Sequence, residues 1–361
     1  MKNTFGSNVT VTLFGESHGP YIGAVLDGLP AGVPVDQKAI AAALALRRPC
    51  NSLSTPRQEQ DAFEIVSGVY EGHTTGTPVC IIIPNADVKS GDYAPFATRP
   101  RPSHADYTAR VKYDGMADPR GGGHFSGRLT AALVAVGAIC RGMLEAHCVE
   151  IGTHISACHG IKDREFLSYQ EDIRFLNEQP FPALDPEKGA QMRSEILGAR
   201  EMGDSVGGVL ETAVIGLPAG LGEPWFDTLE GLLAHALFSI PAIKGVEFGD
   251  GFALADLYGS EANDPFVMKE GKVITASNRN GGINGGISNG MPLIYRVAVK
   301  PTPTISRPQT TVDLETGEIV TLSGTGRHDP AIIHRARAVV DAVSAIVLAD
   351  LWVTRFGNQT P

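Results

Sequence analysis

Four short stretches of this sequence hold residues whose types and spacing suit chemistry. Gly15-Glu16-Ser17-His18-Gly19 places a carboxylate, a hydroxyl and an imidazole in a turn framed by glycines. Glycine lets backbone approach a ligand closely, and histidine titrates near neutrality, so it can act as acid or base. The pattern is not GxSxG, so it gives no nucleophile elbow. Arg99-Pro100-Arg101-Pro102-Ser103-His104-Ala105-Asp106-Tyr107 displays two arginines and a histidine on a proline-stiffened loop. The guanidinium fork suits phosphate and carboxylate. Gly121-Gly122-Gly123-His124-Phe125-Ser126-Gly127-Arg128 runs into a helix. Free backbone N–H groups and the positive helix end favour an anion there, although the spacing matches neither a Walker A loop nor GxGxxG. Gly326-Arg327-His328-Asp329-Pro330 offers a base and an anion clamp, or a plain helix start, since Asp-Pro suits an N-terminus.

Each stretch has a plain structural alternative: a solvated turn, a local Asp–Arg pair, an ordinary helix cap. Arg47-Arg48 before Pro49 has one too, because cations favour helix C-termini. Together, however, the stretches describe a cationic pocket for a small polyanion with acid–base groups beside it. The spacing of His147, Cys148, His154, Cys158 and His159 fits no standard zinc pattern, and we expect no metal.

The elements that must position these groups are those of an α/β chain. Asn8 to Phe14 and Tyr21 to Asp27 read as strands joined by the Glu16-Ser17-His18 turn. Asp36 caps a helix that ends at Arg47 or Arg48. Val79 to Ile83 is a short apolar strand. Ser126 opens a helix with Leu129, Leu133, Val136, Cys140 and Leu144 on one face. Residues 162–200 are polar, helix-prone and peripheral. Val206 to Ile215 is a strand, and Asp227 with Glu230 starts a helix through Phe238. Residues 277–290 form a Gly/Asn loop, Pro292 to Lys300 is a strand, and Asp329-Pro330 starts the last helix, to about Phe356. GAVLDGLPAG (23–32) is echoed by GGVLETAVIGLPAG (207–220), each a strand, a Gly-Leu-Pro-Ala-Gly turn, then a helix. That echo suggests an internal two-fold repeat within one domain spanning 1–361.

Composition narrows the partners. The formal net charge is −10, against the basic excess usual for nucleic-acid or anionic-membrane binders. At 43% hydrophobic the chain can build a large core. Its 42 glycines and 24 prolines show no G-X-Y period, and its charged fraction of 19% is low, which suggests a covered surface. The run Leu129 to Cys140, bracketed by Arg128 and Arg141, is too short to span a bilayer. The N-terminus alternates polar and apolar residues, unlike a signal peptide. Five cysteines without CxxC spacing fit reduced thiols in the cytoplasm.

These motifs, in this order, resemble the chorismate synthase family: GESHG, RPSHADY, GGG-x-x-S-x-R before a helix, LPAGLGEP at 217–224, AIKGVEFGDGF at 242–252, GGINGGISNG followed by KPT, and GRHDP. The resemblance implies a single-domain β-α-β sandwich with a pseudo-two-fold repeat, and a homotetramer. It implies a lyase that makes chorismate from 5-enolpyruvylshikimate 3-phosphate by anti-1,4 elimination of phosphate, with reduced FMN and, in some members, NADPH as reductant. It implies His18 at the reduced flavin, His104 assisting phosphate departure, and Asp329 taking up a proton through the flavin N5. It places Ser17, Arg48, Arg101 and Arg128 around the substrate. It places His124, Phe125, Ser126, Pro241, Ala242, Gly285, Lys300, Pro301, Thr302, Pro303, Thr304 and Arg327 around the flavin. The chain departs from the family pattern at His124 and Phe125, where Arg and Ser are usual, at Pro303 in the KPTSS motif, at Ser54, and at Pro241. Two other readings fit the residues alone: a flavin-free sugar-phosphate isomerase or lyase using His18 and His104, and a non-catalytic polyanion binder.

Overall fold

Two five-stranded antiparallel sheets enclose a layer of helices. The computed structural model describes residues 2–49, 53–54, 60–86, 96–323 and 329–357. The first sheet has the order β1 (Thr4–Phe5), β2 (Thr10–Gly15), β3 (Tyr21–Asp27), β7 (Val79–Pro84), β4 (Glu64–Ser67). The second, read from its short edge, runs β9 (Ile161–Lys162), β8 (Glu150–Cys158), β10 (Gly208–Ile215), β16 (Leu293–Val299), β11 (Ile243–Phe248). Four two-stranded ribbons lie outside them: β5 (Val69–Tyr70) with β6 (His73–Thr74), β12 (Phe266–Lys269) with β13 (Lys272–Thr275), β14 (Ile283–Asn284) with β15 (Ile287–Ser288), and β17 (Gln309–Val312) with β18 (Ile319–Leu322).

The helices are α1 (Gln37–Arg47), α2 (Asp106–Lys112), α3 (Thr130–Glu145), α4 (Tyr169–Glu178), α5 (Pro186–Glu201), α6 (Leu229–Phe238), the short α7 (Gly259–Ala262) and α8 (Ile333–Phe356). Helix α3 packs on β3 and β7, α8 packs on β8 and β10, and the two helices pack on each other. Their axes approach closely at Gly137, where a Cβ would lie 2.5 Å from that of Ala342. One hydrophobic cluster runs through all three layers, from Val9 to Val353. Gly127–Glu145 is apolar and long enough to cross a bilayer, but it is mostly buried in this layer.

The internal echo is structural. The repeated strands β3 and β10 are the central strands of their sheets, and each leads through Gly-Leu-Pro-Ala-Gly to a helix, α1 or α6. Gly28 and Gly216 hold equivalent left-handed conformations, at φ +86° and +83°. A Cβ on Gly28 would run into the Asn8 carbonyl before β2, and one on Gly216 into the Cys148 carbonyl before β8. Side chains therefore cannot fit at either turn, which is why both copies keep glycine. The halves correspond as β2-β3-α1-β7-α3 and β8-β10-α6-β16-α8.

Three expected helix starts shift. Helix α6 is capped by Thr228, whose hydroxyl accepts from the Gly231 N–H, and not by Asp227. Ser126 caps a single 3₁₀ turn, Gly127–Leu129, ahead of α3. Helix α8 begins at Ile333 with no side-chain cap, so Asp329 is not its cap: its carboxylate pairs with Arg335 and its carbonyl accepts from the Thr302 hydroxyl at 2.6 Å. The Gly/Asn loop contains the β14–β15 ribbon, and Met192, Ile196, Ile173 and Leu176 bury one face of the polar helices α4 and α5.

Candidate functional site

A cavity of about 840 Å³ opens between the two halves. The C-terminal ends of α1 and α6 reach it at Arg47 and Phe238, and the N-terminal ends of α3 and α8 at Thr130 and Ile332. These are the pairs that the repeat relates, so the site lies where the two halves face each other.

The glycine run shapes one wall. Gly121, Gly122 and Gly123 all have positive φ (61°, 81° and 53°). A Cβ on Gly121 would run into the His18 imidazole, and one on Gly122 would lie 3.5 Å from the His104 ring. The run thus presses between two histidines that lie 86 positions apart in sequence. The Ser17 N–H donates to the Gly123 carbonyl (3.1 Å), and the buried Ser17 hydroxyl has no hydrogen-bond partner among the described residues. His124 donates Nδ1–H to the Gly15 carbonyl at 2.9 Å, because a carbonyl can only accept. Phe125 meets Tyr113 edge to face.

Two arginine clusters back this wall. The Arg101 guanidinium forks onto Asp106, with Nε and Nη2 each 2.8 Å from a carboxylate oxygen, and the same carboxylate lies 2.7 Å from His104 Nδ1. Arg101 Nη1 also reaches the Thr304 hydroxyl at 3.3 Å. Behind the glycine run, Asp61 sits fully buried between Arg47 (3.2 Å) and Arg128. Burial alone would raise the Asp61 carboxyl, but the two guanidiniums hold it below the usual range. Arg128 also donates to the Asn85 side chain (2.9 Å) and the Pro84 carbonyl (3.2 Å). Burial and the neighbouring Arg128 draw Arg47 down to about 10 despite Asp61. Two cations share one anion here, so the cluster keeps a net positive charge beside the cavity.

The opposite wall comes from the second half. Lys300 follows β16 and donates to the Ser103 carbonyl at 2.6 Å; burial and nearby Lys244 lower its ammonium from the usual value. The Lys300 N–H donates to the carbonyl of Ala242, a non-glycine residue held at φ +77°. Ser103, also on the cavity, stands at φ +58°. Such conformations cost roughly 1–3 kcal/mol and gather at functional sites. Asp329 is the one carboxylate among the described lining residues, against Lys2, Arg47, Arg101, Arg128, Lys244, Lys300 and Arg335. Apolar side chains line the cavity as well, among them Leu13, Leu133, Val339, Val343 and Ile346.

Of the residues singled out from sequence, His18, Arg101, His104, His124, Phe125, Ser126, Arg128, Pro241, Ala242, Lys300, Thr302, Pro303, Thr304 and Asp329 line this cavity. Ser17 lies behind it against Gly121, and Pro301 packs against Gly207 instead. Gly285 occupies the β14–β15 turn, away from the lining residues. Arg48 donates to the Gln60 carbonyl at 2.9 Å, and its neighbour Arg47 faces the cavity instead. Arg327 lies outside the described residues. Asp61, Asn85, Lys244 and Arg335 join the site without having been singled out, and Asp106 makes the local Asp–Arg pair that its loop suggested. Arg47 had a readable signal: it continues the spacing of the buried Ile40 and Leu44, which puts it on the inward face of α1.

The family model described as chorismate synthase matches residues 9–353. The chain belongs to the chorismate synthase family. It is 46% identical to the chorismate synthase of Aeropyrum pernix over 98% of this chain and 93% of that one. Identity is also 46% to the enzyme of Pyrococcus abyssi (96% of both chains) and to that of Dehalococcoides mccartyi (97% and 96%). A crystal structure of chorismate synthase aligns with a TM-score of 0.75 at 31% identity, covering 98% of this chain and 94% of the other. The β-α-β sandwich is therefore the chorismate synthase fold. The chemistry is that of a carbon–oxygen lyase of the shikimate pathway: 5-enolpyruvylshikimate 3-phosphate loses phosphate by anti-1,4 elimination and becomes chorismate, on the way to the aromatic amino acids. The family needs reduced flavin.

The residues present fit such a group. The cavity is near the upper end of the roughly 300–1,000 Å³ usual for small-molecule sites. Its apolar lining suits a planar ring system, and its cations suit phosphate and carboxylate.

Proposed function

We propose that the elimination takes place in this cavity and that the flavin is FMN, kept reduced by NADPH or another donor. The observation that carries this reading is the convergence on one cavity of His18, His104 and seven cations against one carboxylate, Asp329, among the described lining residues. Arg101, Arg128 and Arg47 hold the substrate anions. His104 gives a proton to the departing phosphate, which makes it a better leaving group. His18, pressed against Gly121, would face the flavin, and Lys300, Thr302, Pro303, Thr304 and Ala242 would hold it with His124, Phe125 and Ser126. Asp329, oriented by Arg335, accepts a proton. When bound, reduced flavin would supply electron density to the allylic system with no net redox change. We further read the chain as one cytoplasmic domain that assembles as a homotetramer, a reading supported by the continuous core and by the family resemblance.

Anaerobic turnover with chemically reduced FMN, followed by chorismate absorbance, tests the reading. Turnover is expected only with reduced flavin. Equal rates with oxidised FMN, or with none, would overturn it and favour simple acid–base elimination.

A further inference from the structure

The proton chemistry assigned to His104 needs one ring nitrogen fixed and the other free, and the loop supplies a group for this. Asp106 Oδ1 stands 2.7 Å from His104 Nδ1, while Arg101 Nη2 stands 3.0 Å from the same nitrogen. The two neighbours ask for opposite tautomers, since the Arg101 N–H could be accepted only by a bare Nδ1 and the carboxylate can accept only from an Nδ1–H, and the shorter contact decides. A bare Nδ1 lone pair would face the carboxylate at 2.7 Å, which is repulsive; an Nδ1–H donates to it. Arg101 Nη2 then gives its hydrogen to Asp106 Oδ1 at 2.8 Å. The carboxylate stays charged. Burial would raise it, but hydrogen bonds from Arg101 and His104 hold it well below the usual range. Its second oxygen is occupied by the Arg101 N–H (3.0 Å) and Nε (2.8 Å), so it cannot rotate away without losing both.

We propose that Asp106 is the positioning residue for the elimination: clamped by Arg101, it fixes the Nδ1–H form of His104 and turns Nε2 to the cavity. This rests on the reading of His104 as the proton donor. As the carbon–oxygen bond breaks, its electron pair passes to the phosphate oxygen. The Nε2 proton of the imidazolium follows, and the neutral imidazole left behind is already the tautomer that Asp106 holds. The ring proton lost from the substrate is the one the established reaction removes. The other charged groups facing His104 are Lys300, through the Ser103 carbonyl, and His18, across Gly121 and Gly122.

Two measurements test this. Nitrogen-15 NMR of the wild-type protein labelled in histidine reads the tautomer directly; His104 is expected with Nδ1 protonated in its neutral form, and a bare Nδ1 would overturn the proposal. The second is a cycle of Asp106→Asn, His104→Ala and the double variant, assayed with reduced FMN. Asp106→Asn is expected to lower kcat about 10²–10⁴-fold with KM within a few-fold, because the amide can hold the wrong tautomer. In the His104→Ala background it is expected to change kcat little, since residues acting as a unit are not additive. An equal loss in both backgrounds would assign Asp106 a merely structural role and overturn the proposal. If His104→Ala alone kept full kcat, the assignment of His104 as proton donor would fail first, and that result is distinct from a failure of Asp106.

Discussion

At the scale of single residues, the Arg101–Asp106 pair could be read from its loop, whereas Arg128 is held by a partner that spacing does not give. Arg128 follows a glycine run at a helix start, where a cation opposes the helix dipole, so the sequence points to a ligand as its reason. The structure supplies a second reason, the buried Asp61 carboxylate. The two explanations predict different outcomes for Arg128→Ala. A pure ligand contact would leave stability untouched. A buried pair broken on one side typically costs about 3–5 kcal/mol, because the remaining charge stays desolvated. Arg47 remains beside Asp61 and softens the loss. Arg128→Ala is therefore expected to lose both substrate affinity and several degrees of thermal midpoint, read by calorimetry and by KM. An unchanged midpoint would show that Asp61 is stabilised by Arg47 alone.

At the scale of elements, what was legible was what is local. The His18 turn, the Asp36 cap and the strand–turn–helix echo are each encoded within a few residues, and each stands where expected. The start of α8 was not legible. Asp-Pro resembles a helix start, yet Asp329 is drawn to Arg335, a partner six residues later. Nor could spacing reveal that Asp61 would sit between Arg47 and Arg128, since it lies 14 and 67 positions from them. The first turn of α8 also carries a buried histidine. His334 Nε2 meets the Ser54 hydroxyl at 2.9 Å, and burial, aided by Arg335 and opposed by Asp329, lowers its pKa from 6.5 to about 4. The unfolded chain takes up this proton as pH falls through 6.5, but the folded chain only near 4. Stability contributed by neutral His334 is thus complete above pH 6.5 and drains away as pH falls toward 4, by about 3 kcal/mol in all. Denaturant unfolding between pH 7 and pH 4 should show this slope, and His334→Gln should flatten it. The same slope in both proteins would place its origin elsewhere.

At the scale of the whole molecule, the repeat explains why one cavity draws on so many distant segments. Ends of equivalent helices meet across the pseudo-two-fold, but the halves have diverged in what they deliver. Helix α1 ends in Arg47, whereas α6 ends in Phe238 and leads to Ala242; the turn before α3 carries Arg128, whereas α8 is preceded by Asp329. The second half also carries large apolar side chains outward. Trp225 is 87% exposed and Phe226 93%, and Phe252, Tyr258, Phe266 and Met268 are exposed as well. They sit in the segment before α6 and between β11 and β13, outside the paired core of the sandwich. Where exposed apolar side chains form a contiguous patch, they mark an association surface. The low charged fraction, 19%, points the same way, and a symmetric homo-oligomer is the common solution. The homotetramer proposed above should therefore depend on these residues. Multi-angle light scattering at micromolar concentration is expected to give four times the 38.2 kDa chain mass. Trp225→Ser with Phe226→Ser is expected to lower that mass while leaving the thermal midpoint of the separated chain close to its starting value, because neither side chain belongs to the core. A monomer for the unaltered protein would reject the assembly, and an intact tetramer for the double variant would move the interface to another face.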